Sequence, residues 1–235
     1  MTRTPDKLER EAQDGARGFS RATGGREAQD GAGRLRARGA SASLAIGLRV
    51  KSGYAIAVVL GGPASDPKPV TRLIVALSDP EAPETRQPHH DGRGVEMEDR
   101  REIARRTKII ERCAKQSVAR LLGDAGPPPH RDRGPIRAAL VVGSVIDPDT
   151  IGNAHIRAHA YEGRLFRTVL QEALAAHGVT CDVIVEKQLA TQAAARLKQP
   201  DGRITRALSA FGKSLGSPWR ADEKAAATAA WIALL

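Results

Sequence analysis

The chain has 235 residues, enough for one domain with a real core plus a tail. Its hydrophobic fraction is 41% and its aromatic fraction only 3%, which leaves the core to Val, Ile, Leu and Ala. The net charge of +10 favours contact with nucleic acid or another anionic surface. Arginine scattered along an Ala-, Arg- and Gly-rich chain produces the same balance without any partner.

Residues 1–41 hold many glycines, few large apolar side chains and two copies of Arg-Glu-Ala-Gln-Asp-Gly-Ala, at Arg10 and Arg26. Two polar copies are too few for a solenoid, and such a segment buries too little surface to offset its ordering entropy. It reads as a disordered basic tail with nine basic and six acidic residues, +3. The domain after it, residues 42–235, keeps 28 basic against 21 acidic residues, +7.

Leu44 to Val50 is rich in β-formers, Lys51-Ser52-Gly53 is a hairpin turn, and Tyr54 to Leu60 is the returning strand. Glycines and prolines end it, and Val70 to Leu77 makes a third strand. Asp79 to Gly94 is a Pro-interrupted loop, expected to be solvated, with His89 and His90 pointing apart. From about Val95 to Leu122 the apolar period is helical, with Ile103, Ile110, Ala114, Ser117 and Leu121 on one face. A Pro-rich connector follows, and Ile136 to Ile146 has the continuous apolar run of a strand buried on both faces. Asn153 caps a helix that runs to about His177, and Val179 to Glu186 is the fifth strand. Three helical stretches close the chain, Leu189 to Leu197, Ile204 to Leu215 and Asp222 to Leu235. This order of elements gives an α/β fold: a five-stranded mixed sheet, three antiparallel strands then parallel ones, with flanking helices.

The most site-like segment opens the second helix. His155, His159 and Glu162 share one helix face by spacing, a pattern that admits a divalent ion without requiring one. Its start lies where open α/β sheets place their clefts. Asn153, Arg157 and Arg164 add anion-binding capacity there. Set against this, His159 packing on the sheet and Glu162 pairing with Arg157 or Arg164 would be plain scaffold. Trp219 and Trp231 are expected to anchor the last helix rather than stack on bases. Cys113 and Cys181 are expected to be buried, reduced and inert. No Cys/His spacing matches a zinc finger, no Walker loop is present, and no run approaches the roughly 18 apolar residues of a membrane span. No apolar run opens the chain as a signal peptide would. The expectation is a cytoplasmic protein without membrane contact, with no cofactor or bound metal.

Ile46-Gly47-Leu48-Arg49-Val50-Lys51-Ser52-Gly53-Tyr54-Ala55 is similar to the first hairpin of the RuvC-type branch of the ribonuclease H-like superfamily, and Asp222-Glu223-Lys224-Ala225-Ala226-Ala227 to its last helix. The resemblance spans about residues 43–235 and lies more in element order than in motif. It implies a ribonuclease H-like fold and, in the family, carboxylates that hold two divalent ions about 4 Å apart to cleave nucleic acid. Here Leu48 or Arg49 stands where the family has Asp, and the fourth strand ends in Val142-Gly143-Ser144-Val145 without a Glu. Only Asp222 and Glu223 remain, so two-metal cleavage is not expected.

Three readings stay open. One is a degenerate, non-catalytic ribonuclease H-like domain that binds nucleic acid or a protein partner, with Arg49, Lys51, Asn153, Arg157, Arg164 and Lys224 as the anion-binding set. Another is a hydrolase or nuclease with a non-standard catalytic set, His155, His159, Glu162 and Glu223. The last is an accessory assembly protein, for which a homodimer is one form.

Overall fold

A computed structural model describes residues 43–125 and 135–235. The tail expected over residues 1–41 lies outside them. Five strands, β1 (Leu44–Lys51), β2 (Tyr54–Gly61), β3 (Lys68–Ala76), β4 (Arg137–Val142) and β5 (Thr180–Val185), form one sheet in the order β3-β2-β1-β4-β5. β1, β2 and β3 pair antiparallel, while β4 lies parallel to β1 and β5 parallel to β4. This is the ribonuclease H-like arrangement expected from the element order. The helices are α1 (Arg100–Asp124), α2 (Ala154–Ala175), α3 (Leu189–Leu197), α4 (Asp201–Leu215) and α5 (Ala221–Ala233). No described helix is long and apolar enough to cross a membrane.

The pleat of β1 assigns the two faces. Ile46, Leu48 and Val50 point into one cluster with α1 and α2, and Ala45 points into the other, with α3, α4 and α5. α5 can approach closely because its buried face is Ala226, Ala227, Ala229 and Ala230. A Cβ on Gly47 would lie 1.8 Å from the Ala226 carbonyl oxygen, so only glycine fits under this helix. Trp231 is buried in the α5 cluster and donates its indole N–H to the Ala64 carbonyl at 2.8 Å. Trp219 is half-buried, packed over Gly212. Both serve as anchors.

The element boundaries correct the sequence reading in two instructive places. The helix expected from Val95 starts at Arg100, because the Asp99 side chain accepts from the N–H groups of Arg101 and Glu102 and caps it there. The strand expected to reach Ile146 stops at Val142, the last residue paired with β5. Gly143 to Ile146 leave the sheet and form the rim of a cleft. The cysteines are half-buried rather than buried.

Candidate functional site at the carboxyl edge of the sheet

Arg49 lies near the end of the central strand and is the last residue of β1 paired with β4. Its backbone alternation turns the side chain toward α5, where it is 6% exposed. The guanidinium lies 2.5 Å from Glu186, just beyond β5, and 3.3 Å from Asp222 at the start of α5. It also donates to the carbonyls of Val50 and Val141. Lys51 reaches Asp222 at 3.4 Å. The carboxylates that gather at the centre of the sheet are therefore held by two cations of the chain itself. A site for a pair of hard divalent ions needs several carboxylates free to coordinate. Arg49 places a fixed positive charge there instead.

Glu223, expected to act with the histidines, belongs elsewhere. It accepts from the Arg220 backbone N–H at 2.7 Å as part of a capping box, lies 3.8 Å from Arg72, and sits with α5 on the face of the sheet opposite α2. Lys224 is exposed on the same helix. Asn153 does cap α2, accepting from the Ile156 N–H at 3.0 Å. Arg157 does not face a cleft. It holds both oxygens of Glu96, at 2.5 and 3.1 Å, and the Ile151 carbonyl.

Beside Arg49, a cleft of about 500 Å³ opens between the carboxyl ends of β1 and β4 and the first turns of α2. Arg49, Lys51, Arg164 and Arg167 line it with no Asp or Glu, and Ile146, Ile151 and Ile156 line it as well. Arg164 lies 5.0 Å above the Tyr161 ring and 3.4 Å from Asp147. Arg167 has no ion pair among the described residues. The sequence offered no sign that Arg167 would join this cleft, since it lies beyond the segment that looked site-like.

The histidines form a second group at the edge of this cleft. Along α2, Ala158, Glu162, Phe166 and Leu170 make the buried stripe, and His155 and His159 flank its first turns, exposed. Glu162 is 1% exposed, a carboxylate in a position that would otherwise be apolar. It is satisfied from the loop before α1: its Oε1 lies 2.7 Å from Nδ1 of His90 and accepts from the His89 backbone N–H at 3.3 Å. Its Oε2 lies 3.3 Å from Nδ1 of His159. Neither Arg157 nor Arg164 pairs with it, in contrast to the scaffold reading.

His90 is 4% exposed, so this loop is not simply solvated. Arg106, buried in α1, donates to the carbonyls of Pro88 and His90 at 3.3 and 2.8 Å, and Arg157 holds Glu96 from the other side. Between them the chain doubles back, with Met97 N–H donating to His89 O and Asp91 N–H to Val95 O. The neighbouring rings do point apart: His90 lies 4.5 Å from the His159 ring, whereas His89 stacks on Tyr161 at 5.1 Å. Burial lowers the His89 imidazole to about 4, which leaves it neutral at neutral pH. Among the described residues, His90, His155 and His159 are the group able to offer three metal-binding atoms to one point, all within 4.8 Å of one another.

No family model matches the chain, and no curated protein matches it. Solved structures similar in fold include Thermus thermophilus RuvC in complex with a Holliday junction substrate, 12% identical over 81% of this chain and 91% of that one, TM-score 0.45. A second Thermus thermophilus RuvC structure is 11% identical over 80% and 92%, TM-score 0.44. The Aquifex aeolicus PPX-GPPA enzyme is 12% identical over 67% of this chain and 41% of that one, TM-score 0.31. At these identities the strand order itself carries the fold, and chemistry has to be argued from the side chains.

Proposed function

We propose that this domain binds the sugar–phosphate backbone of nucleic acid in the cleft beside Arg49, without two-metal cleavage of it. The observation that carries the reading is the lining: four cationic side chains and no carboxylate, together with the exposed Ile146 and Ile156. Cations placed along a groove neutralise phosphates and release counterions, and apolar side chains suit sugar and base faces. Arg167, without an ion pair among the described residues, and Arg164, whose partner Asp147 is exposed, are the contact residues, while Arg49 is engaged by Glu186 and Asp222 and Lys51 by Asp222. The same engagement is what removes the metal pair. One of the structurally similar proteins, Thermus thermophilus RuvC, is seen with a Holliday junction, which makes branched DNA a useful probe beside linear DNA and RNA.

The test is a titration of single-stranded, duplex and branched DNA and of RNA with the full chain and with the double variant Arg164→Glu/Arg167→Glu. At about 50 mM salt the wild type binds and the variant loses at least roughly tenfold in affinity. Equal binding by the two proteins would place the interface elsewhere. No binding at low salt would end the proposal.

A further inference from the structure

We propose that His90, His155 and His159 form a binding site for one zinc-type divalent ion, with Glu162 and the Gly94 carbonyl as the groups that orient them. The reasoning starts from protons. A carboxylate oxygen and a peptide carbonyl can only accept hydrogen bonds. Nδ1 of His90 lies 2.7 Å from Glu162 Oε1, Nδ1 of His159 lies 3.3 Å from Glu162 Oε2, and Nδ1 of His155 lies 2.9 Å from Gly94 O. Each Nδ1 therefore carries a ring proton, which leaves the three Nε2 atoms as the positions from which the rings could bind a metal ion.

Those atoms are not directed at donors. Nε2 of His155 and Nε2 of His159 face each other at 3.3 Å. Nε2 of His90 is buried without a hydrogen-bond partner among the described residues, on a side chain 3% exposed. One ring nitrogen of each of the three lies within 4.8 Å of the other two, and each ring is fixed by an acceptor behind it, an arrangement that suits a cation. A single proton shared between His155 and His159 would answer one contact and leave His90 unsatisfied; a metal ion answers all three. Two nitrogens at about 2.05 Å from one tetrahedral ion are separated by roughly 3.3–3.4 Å, which is the spacing His155 and His159 already have.

The outer arrangement is that of a metal site as well. Ligating histidines donate the other ring N–H to a carboxylate or a backbone carbonyl, which fixes tautomer and orientation. Here one buried carboxylate serves two of the rings and a carbonyl serves the third. Glu162 is thus a positioning residue and not a ligand. Imidazole nitrogens suit zinc and its transition-metal neighbours, whereas magnesium and calcium prefer oxygen. His155 and His159 are exposed, His159 lines the arginine cleft, and His90 lines a second cleft of about 590 Å³. The fourth position of a tetrahedral ion would face solvent, as in catalytic rather than structural zinc sites. The proposal stands on the histidine geometry alone and does not depend on nucleic-acid binding.

The experiment uses the full chain without an affinity tag, stripped by chelator and titrated with zinc and, separately, with cobalt(II). The expected result is one zinc per chain with a dissociation constant below about 10 μM, and a cobalt spectrum of tetrahedral nitrogen and oxygen coordination. His155→Ala and His159→Ala, at exposed positions that leave the core untouched, abolish that uptake. Glu162→Gln keeps the fold and weakens binding by about 10- to 100-fold. Failure of the wild type to take up zinc would overturn the proposal. So would undiminished uptake by both histidine variants, or thiolate bands in the cobalt spectrum, which would place the ion at Cys113 or Cys181.

Discussion

Arg49 and Glu186, 137 residues apart, meet at 2.5 Å across the carboxyl ends of the sheet. Asp222, 3.3 Å from the same guanidinium and 3.4 Å from Lys51, completes a charge-neutral group of two cations and two carboxylates. Magnesium- or manganese-dependent cleavage of DNA or RNA by the wild type is therefore expected not to exceed the level of an Asp222→Ala control. Metal-dependent cleavage that vanishes in that control would show that the carboxylates are free to coordinate after all.

Gly47 controls how closely α5 lies on β1. Its added Cβ would meet Ala226 O at 1.8 Å and Ala230 N at 2.5 Å, both backbone atoms that cannot swing aside. Gly47→Ala is expected to cost about 1–3 kcal/mol or more by overpacking. Urea unfolding monitored at Trp231, which sits in that interface, measures it.

Arg106 holds the histidine loop through two carbonyls and is itself held by Glu102 at 2.8 Å. Arg106→Met keeps the stem and removes the donors, so two carbonyls lose their partner at a cost of about 1–3 kcal/mol. Hydrogen exchange should rise locally, at Met97 and Asp91, with little change in α5. Uniform change across the domain would mean that the loop is not held independently.

Glu102 gains from the native state in a pH-dependent way. Its side-chain hydrogen bonds to Arg105 and Arg106 lower its carboxyl from 4.5 to about 2. A lowered folded value stabilises the fold above the unfolded value, and the contribution is lost as pH falls from about 4.5 toward 2. Because this group is exposed the effect is small. Glu102→Gln should flatten that acid limb in thermal melts taken across the window and leave the curve unchanged in shape above pH 5.

Both thiols are held in the protonated form. Burial raises Cys181 to about 12 and raises Cys113 too. Since the thiolate is the reactive species, alkylation near neutral pH should be slow in the native protein and fast for both residues in denaturant. Rapid native labelling of Cys181 would contradict the burial given to it.

The fold was largely legible, because it rests on local signals. The Gly53 turn, the apolar runs of β4 and β5 and the Ala-rich face of α5 each state their role in sequence. Arg49 was legible too, as a cation in a strand that resembles one bearing a carboxylate. The site was legible only along α2. His155, His159 and Glu162 lie within three turns of one helix, so spacing found them. Their roles and their missing member were not visible. His90 arrives from a loop 65 positions before His155, and only the grip of Arg106 and Arg157 on that loop brings it in. Glu162 carried one clue, a carboxylate on the stripe shared by Ala158 and Phe166, where a buried charge needs a partner. Glu223, by contrast, looked like part of the site because it opens a helix near Asp222, yet its carboxylate caps its own helix on the far face.

An arginine cleft that holds a phosphate backbone makes binding depend steeply on salt. Measured on single-stranded DNA between about 50 and 200 mM salt, log K should fall linearly with log salt, and Arg167→Ala should shallow that slope by about 0.7. A wild-type slope near zero, or a slope unchanged in Arg167→Ala, would contradict it.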